Sequence, residues 1–238
     1  MRIIGGEFRR RALLAPQGRT TRPMTDRVRE NLFNLLGPEA SAGAVVCDLF
    51  CGSGALGLEA LSRGADACTF VDRDASAIEA VEENCERLGV EGRVRIERRD
   101  ALRPGPWIVP PGGQSYTLLF VDPPYKIPAA DQGRRRLEEM ARRLVALGCV
   151  APGAVAMLRA KRGTDPGLPW EGFDLTDTRT YGTTTLHLMT YRAAGLRTRR
   201  AGPPERGGYG DPPRSSENGK GQTYNEIPRL GPRGPRSE

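Results

Sequence analysis

An α/β fold built on a mostly parallel, seven-stranded sheet is what this sequence predicts, from three observations. Short apolar runs alternate with segments of helical periodicity from residue 44 onward, the pattern of a parallel sheet covered on both faces. A glycine loop, Gly52-x-Gly54-x-x-Gly57, follows the first of those runs and opens a helix, which allows a ligand to approach the backbone at a strand-to-helix turn. Two last alternating segments flank Gly182 and predict an antiparallel hairpin that completes the sheet.

The 238 residues suffice for one α/β unit with a substantial core and smaller attachments. The expected divisions are an extension at 1–40, the α/β domain at 41–194 and a tail at 195–238. Residues 1–15 begin with Ile3-Ile4-Gly5-Gly6 and continue into Arg9-Arg10-Arg11, predicting a strand or hairpin whose arginines either hold phosphates or form a solvated edge. A polar loop at 19–23 leads to Thr25, an N-cap candidate with Asp26 in the first helical turn. Val28, Leu32, Leu35 and Leu36 recur at helical spacing, so one face is expected inward and Arg27, Arg29 and Glu30 outward. Gly37-Pro38 ends that helix.

Strands are then expected at 45–50, 67–72, 94–98, 117–121 and 154–158, and helices at 55–63, 75–88 and 134–147. Gly89 and Gly148 supply left-handed caps for the last two helices. The segment 104–114, rich in Pro and Gly, is expected to lengthen a surface loop. The closing hairpin spans 173–181 and 183–191. Beyond about residue 195 the chain is Gly, Pro, Arg and Ser with few apolar residues, a composition that does not offset its ordering entropy. A disordered basic tail is expected there.

A formal charge of +7 favours a polyanionic partner. No apolar stretch reaches the ~20 residues of a membrane span, and the N-terminus lacks an apolar leader core, so a cytoplasmic protein is expected. Five cysteines, at 47, 51, 68, 85 and 149, lie mostly in apolar patterns and are expected to be reduced, buried thiols without a disulfide or metal role. The single histidine, His187, falls in the last alternating run and is expected as a satisfied sheet residue. Chemistry must therefore run without histidine.

The sequence Asp122-Pro123-Pro124-Tyr125 caps the apolar run 116–121. Two prolines donate no N–H and fix φ, so the loop can hold its carbonyls in place. A carboxylate and the Pro123 carbonyl can then accept both hydrogens of an exocyclic amine while Tyr125 stacks a flat base.

Three further strand-end acids point to the same edge. Asp48 stands beside the glycine loop, where it would repel a pyrophosphate but attract the ammonium of a bound amino acid, such as the methionine part of S-adenosylmethionine. Asp72 lies about 20 residues past the first glycine, the separation of an acid that bonds ribose hydroxyls. Asp100 is placed to accept from an adenine amino group. Phe50, Gly52, Ser53, Gly54, Arg73 and Ala101 complete the expected cofactor contacts.

The chain resembles the RsmD-type 16S ribosomal RNA guanine-N2 methyltransferases over about residues 1–191. The resemblance rests on Met1-Arg2-Ile3-Ile4-Gly5-Gly6, Arg22-Pro23-x-Thr25-Asp26-Arg27-Val28-Arg29-Glu30, the glycine loop through Gly64, Phe120 to Tyr125, and Arg179-x-Tyr181-Gly182. It implies a Rossmann-like class I methyltransferase fold, in which parallel strands are finished by an antiparallel pair. It further implies S-adenosylmethionine as methyl donor and ribosomal RNA or a small-subunit particle as partner, with no metal and no membrane, and a monomer is expected. Asp122, Pro123, Pro124 and Tyr125 are the catalytic candidates. Arg10, Arg11, Thr25, Arg27, Arg29 and Glu30 are the RNA-contacting candidates in the 1–40 extension. Two departures stand out: Cys51 replaces an alanine common in relatives, and Leu158-Arg159-Ala160 lacks a glutamate associated with the family.

The rival readings are a DNA adenine-N6 or cytosine-N4 amino-methyltransferase, a nicotinamide-dependent oxidoreductase, and a noncatalytic RNA-binding or assembly factor. The first would be expected to carry a larger target-recognition region, and the second is disfavoured by Asp48. Incorporation of labelled methyl into RNA distinguishes the third.

Overall fold

The computed structural model describes residues 1–16, 24–110 and 113–193. Strands β1 (Val45–Leu49), β2 (Ala67–Asp72), β3 (Val94–Arg98), β4 (Tyr116–Val121), β5 (Val150–Lys161), β6 (Phe173–Tyr181) and β7 (Thr184–Tyr191) form one sheet in the order β3-β2-β1-β4-β5-β7-β6. The pairings from β3 through to β5 are parallel, and β7 runs antiparallel to both β5 and β6. The chain builds outward from β1 through β2 and β3, then crosses back to lay β4 on the other side of β1. Strand order therefore reverses between β1 and β4, and at such a point the carboxyl ends of the strands open a crevice.

Side-chain alternation sorts the sheet into two cores. Val46, Phe70, Leu118 and Phe120 pack with residues of α1 (Asp26–Leu36), α2 (Ala55–Ser62) and α3 (Ala75–Leu88). Cys47, Leu49, Leu119 and Val121 pack on the other face against Leu137, Met140 and Leu144 of α5 (Asp131–Ala146). All five cysteines are buried free thiols.

Most element ends fall within a residue or two of expectation. The exceptions have identifiable causes. β5 was expected over 154–158 but spans twelve residues: it starts early at the Tyr116–Val150 pairing with β4, across a register shift, and ends late because β7 pairs with it as far as Lys161, beyond the last β4 partner, Leu158. A short helix, α4 (Lys126–Ala129), precedes α5, which begins at Asp131 and not at 134. Gly133 permits that close turn, since a Cβ there would lie 1.9 Å from the Ile127 carbonyl oxygen. The segment expected as a surface loop at 104–114 sends Ile108 wholly into the core, and its carbonyl accepts from the Tyr116 hydroxyl at 2.6 Å. The expected loop at 19–23 and tail at 195–238 lie outside the described residues.

The N-terminal residues form the expected hairpin around an Arg2–Ala12 antiparallel bridge. Its turn docks on α2. The backbone N–H groups of Ile4 and Gly5 donate to the Glu59 carboxylate at 2.7 and 2.8 Å, and Ser62 receives the N–H of Phe8 and donates to the Gly5 carbonyl. Gly6 is required here: its φ is +76°, and a Cβ would lie 1.8 Å from the Ser62 carbonyl oxygen.

Arg29 corrects an expectation. Its side chain is fully buried, not displayed to a nucleic acid, and it stands 3.7 Å from Glu59 while donating to Asp26 at 3.0 Å and to the Arg2 carbonyl. It shares a helix stripe with Leu32 and Phe33, three and four residues on, and so points to the core. Glu59, also bonded by Arg63 at 2.8 Å, thus ties the hairpin and α1 to α2.

Candidate active site

Thr25 caps α1 as expected, its hydroxyl accepting from the Val28 N–H at 3.4 Å. The loop after β1 takes the chain through left-handed backbone at Phe50 (φ 61°), Gly52 (φ 56°) and Gly54 (φ 77°) before α2 begins. Phe50 pays the steric cost of that conformation. Gly54 and Gly57 serve packing: a Cβ on Gly54 would lie 3.2 Å from Phe70 and Val81, and one on Gly57 would lie 2.4 Å from Phe70.

Above this loop lies a cavity of about 340 Å³ lined by Phe50, Gly52, Ser53, Asp72, Arg73, Asp100 and Ala101 on one side and by Asp122, Pro124 and Arg159 on the other. Met1, Ala15 and Pro16 of the N-terminal segment also line it. Asn84 of α3 holds that segment in place, exchanging hydrogen bonds with the Leu14 backbone and donating to the Ser53 carbonyl at 3.0 Å. The cavity's size falls within the ordinary range for small-molecule sites.

The strand-end acids divide by role. Asp72, 3% exposed, accepts from the Gly52 N–H at 3.0 Å and the Asp74 N–H at 3.1 Å, so it shapes the loop while facing the cavity. Asp100 accepts from the Leu102 N–H at 3.0 Å and lies 3.3 Å from Arg136 and 3.9 Å from Arg103. Asp48 departs from expectation. It is 1% exposed, is not among the cavity's lining residues, and accepts from the Gly57 N–H at 2.9 Å. Its carboxylate therefore braces the glycine loop from beneath; Asp48 belongs to β1 itself, which buries all five of its residues. Burial pushes its carboxyl up to about 8, the Gly57 bond opposes that rise, and neighbouring Asp122 and Asp72 add to it.

Asp122 leaves β4 with its N–H donating to the Leu49 carbonyl at 3.2 Å. Its Oδ1 is buried, 2.5 Å from Arg159 Nε of β5 in an ion pair. Burial raises the Asp122 carboxyl and Arg159 opposes the rise. Pro123 is buried. The Pro124 carbonyl is taken by the Ile127 N–H at 2.9 Å, whereas no backbone N–H among the described residues reaches that of Pro123. Tyr125 donates to or accepts from the Thr184 hydroxyl at 2.7 Å, and the Arg159 guanidinium lies 5.2 Å from its ring centre.

Arg159 lines both this cavity and a second one of about 680 Å³, bounded by Thr25, Arg27, Val28 and Asn31 of the α1 region, by Tyr125, and by the β6–β7 turn. The other nucleic-acid candidates are scattered. Arg10 and Glu30 border a separate 240 Å³ depression, and Arg11 donates to the Arg87 carbonyl at 3.3 Å. Arg159 is the site residue that sequence reasoning missed. Its signal was a lone arginine within the otherwise apolar run 154–160. His187 is half satisfied: Nδ1 lies 3.1 Å from the Thr178 hydroxyl, and Nε2 is buried without a partner among the described residues.

Among the described residues no cluster of His, Cys, Asp or Glu suits a metal ion, and no helix is long and apolar enough to cross a membrane.

Known proteins match this arrangement. Ribosomal RNA small subunit methyltransferase D of Escherichia coli K12 is 37% identical over 169 residues, 71% of this chain and 78% of that protein. The Haemophilus influenzae protein of the same name is 34% identical over 134 residues, 56% of this chain and 67% of its own. The solved structure of yhhF from Escherichia coli superposes with a TM-score of 0.65 at 33% identity, covering 81% of this chain and 98% of that one. A Salinibacter ruber RNA methyltransferase solved with S-adenosyl-L-homocysteine shares the fold, with a TM-score of 0.51 at 13% identity and coverage of 74% and 98%. The family described as Conserved hypothetical protein 95 matches residues 1–190. With four-fifths of its length inside that match and the glycine and proline loops facing one cavity, the chain belongs to this family, the RsmD-type methyltransferases.

Proposed function

We propose that this protein transfers a methyl group from S-adenosylmethionine to the exocyclic N2 amine of a guanine in 16S ribosomal RNA. The observation that carries the reading is that Asp122 lines the glycine-loop cavity with Pro124 while the adjoining Tyr125 lines the second cavity; Pro123 between them is buried, and no backbone N–H among the described residues takes its carbonyl. The names of the Escherichia coli and Haemophilus influenzae relatives support ribosomal RNA of the small subunit as substrate.

The residues fit the cofactor. Gly52 and Ser53 offer close backbone, and Asp72 and Asp100 present acceptors suited to ribose hydroxyls and an adenine amine. Asp48 contributes from below, by fixing the Gly57 N–H and with a buried Oδ1 that has no hydrogen-bond partner among the described residues. When bound, S-adenosylmethionine supplies an electrophilic methyl on a sulfonium.

A base amine is a weak nucleophile because its lone pair is delocalised into the ring. Asp122 and the Pro123 carbonyl accept its two hydrogens, which favours a pyramidal nitrogen and stabilises the positive charge that develops there. Asp122 then takes the proton that the alkylated nitrogen sheds. Tyr125, tethered through Thr184, offers a ring against which the base stacks. Arg27 and Thr25, on the rim of the second cavity, contact the RNA backbone.

The test is Asp122→Ala. We expect it to fold and bind S-adenosylmethionine within about threefold of wild type by calorimetry while transfer to small-subunit RNA falls at least about 10³-fold, the combined scale of a lost acid–base and electrostatic contact. Turnover within tenfold of wild type would remove Asp122 from the chemistry.

A further inference from the structure

The charge next to Asp122 is supplied by Arg159 of β5. Arg159 is 9% exposed in its side chain and Asp122 16%, so the pair is largely withdrawn from water. Its geometry is one-sided. Nε faces Oδ1, which is fully buried, and the carboxylate's remaining exposure falls on its other atoms, of which Oδ2 is the only acceptor. The guanidinium also sits over the Tyr125 ring, so one side chain touches the two candidate catalytic residues that differ most in chemistry.

We propose that Arg159 is a positioning residue for methyl transfer: by clamping Oδ1 of Asp122 and resting on Tyr125, it turns Oδ2 toward the incoming amine and keeps the carboxylate charged in a buried site. The inference rests on the reading of Asp122 as the amine's acceptor. A carboxylate has about four lone-pair directions, so one oxygen can be committed to the arginine while the other receives the substrate N–H. An acid that arrived protonated would instead present a donor to the amine, and transfer would stall.

Acids crowd this region: Asp122 and Asp72 raise the buried Asp48 carboxyl on β1, and Asp72 and Asp100 line the same cavity as Asp122. Lys126 on α4, with Arg73 and Arg136, supplies cations to the cavity wall, but it is Arg159 that forms the ion pair with Asp122. Burial favours the neutral acid and Arg159 opposes it. An adjacent arginine lowers a carboxyl by roughly one to three units, so removing it must shift the acid limb of the reaction upward in pH.

The experiment compares wild type with Arg159→Gln and Arg159→Lys in two readouts. The first is the pH profile of kcat/KM for methyl transfer to small-subunit RNA. The second is direct titration of Asp122 by carboxyl NMR on aspartate-labelled protein without RNA, assigned with Asp122→Asn. For Arg159→Gln we expect the acid limb and the Asp122 titration both to move up by at least about one unit, with activity recovering as pH rises, and for Arg159→Lys we expect both to stay near wild type. An acid limb and titration unmoved in Arg159→Gln overturn the proposal. Should Arg159→Gln not fold, Arg159→Lys decides: it must keep at least a tenth of wild-type kcat/KM, and a loss larger than that with an unmoved profile overturns the charge role. A shifted titration in a protein whose wild type methylates no RNA amine would sink the methylation reading while leaving the Arg159–Asp122 coupling intact.

Discussion

Glu59→Gln tests how the N-terminal segment is held over the cofactor cavity. Glu59 is 0% exposed and receives the Ile4 N–H at 2.7 Å, the Gly5 N–H at 2.8 Å and Arg63 Nε at 2.8 Å, with Arg29 Nε at 3.7 Å. Glutamine preserves the shape but removes the charge, and its amide NH₂ turns a donor toward groups that are themselves donors. Breaking a buried ion pair from one side costs about 3–5 kcal/mol. Asp26 remains beside Arg29 at 3.0 Å but is 42% exposed in its side chain, so the lower end, about 3 kcal/mol, applies. For a domain of this size each kcal/mol moves the midpoint by roughly 2–4 °C, which gives a fall in Tm of about 6–12 °C. Because Met1, Ala15 and Pro16 line the cavity, affinity for S-adenosylmethionine should fall with it. Scanning calorimetry and urea unfolding of Glu59→Gln, alongside Arg63→Gln as a partly exposed control (side chain 23% exposed), measure this. A Glu59→Gln midpoint within about 2 °C of wild type would refute the reasoning, since a buried, four-partnered charge cannot be lost that cheaply.

Asp48→Asn should flatten the dependence of stability on pH. The native carboxyl is pushed to about 8 from an ordinary 3.8, so between those values the unfolded chain binds fewer protons and stability falls as pH rises. Wild type should lose of the order of 2–4 kcal/mol between pH 5 and 8 from this group, read from urea melts, and parallel curves for the two proteins would contradict it. Arg27→Ala and Arg29→Ala should part company. The first leaves the melting point unchanged and lowers the salt slope of RNA binding by about one, whereas the second lowers stability by about 2 kcal/mol or more, because it strips Glu59 of a buried partner. Equal effects of both on RNA binding at unchanged stability would return Arg29 to the nucleic-acid surface. Gly6→Ala, which drives a Cβ to 1.8 Å from the Ser62 carbonyl oxygen, should destabilise by more than about 2 kcal/mol, measured by thermal unfolding.

Period and punctuation carried most of the fold. The turn residues Gly37, Gly89 and Gly148 and the switch from period 3.6 to period 2 placed every sheet strand and the longer helices. The ends of β5 were not legible because its first residue pairs with β4 across a register shift and its last residues are held by β7, long-range partners that local pattern does not announce. The site was legible where chemistry and position coincide: Asp72, Asp100 and Asp122 do face one cavity. It was illegible where helix phase and depth decide. Arg29 reads as a solvated cation until its stripe with Leu32 and Phe33 is seen packed, and Asp48 reads as a ligand contact until β1 is seen buried throughout. Arg159 was not legible because its partner, Asp122, is 37 positions away in sequence.

The most direct test uses methyl-labelled S-adenosylmethionine with small-subunit particles and with naked 16S ribosomal RNA, followed by nuclease digestion and mass spectrometry of the labelled nucleotide. The expected product is N2-methylguanosine at a single position, formed by wild type and not by Asp122→Ala. Label on adenine N6 or cytosine N4, or none in RNA from either substrate, would contradict it.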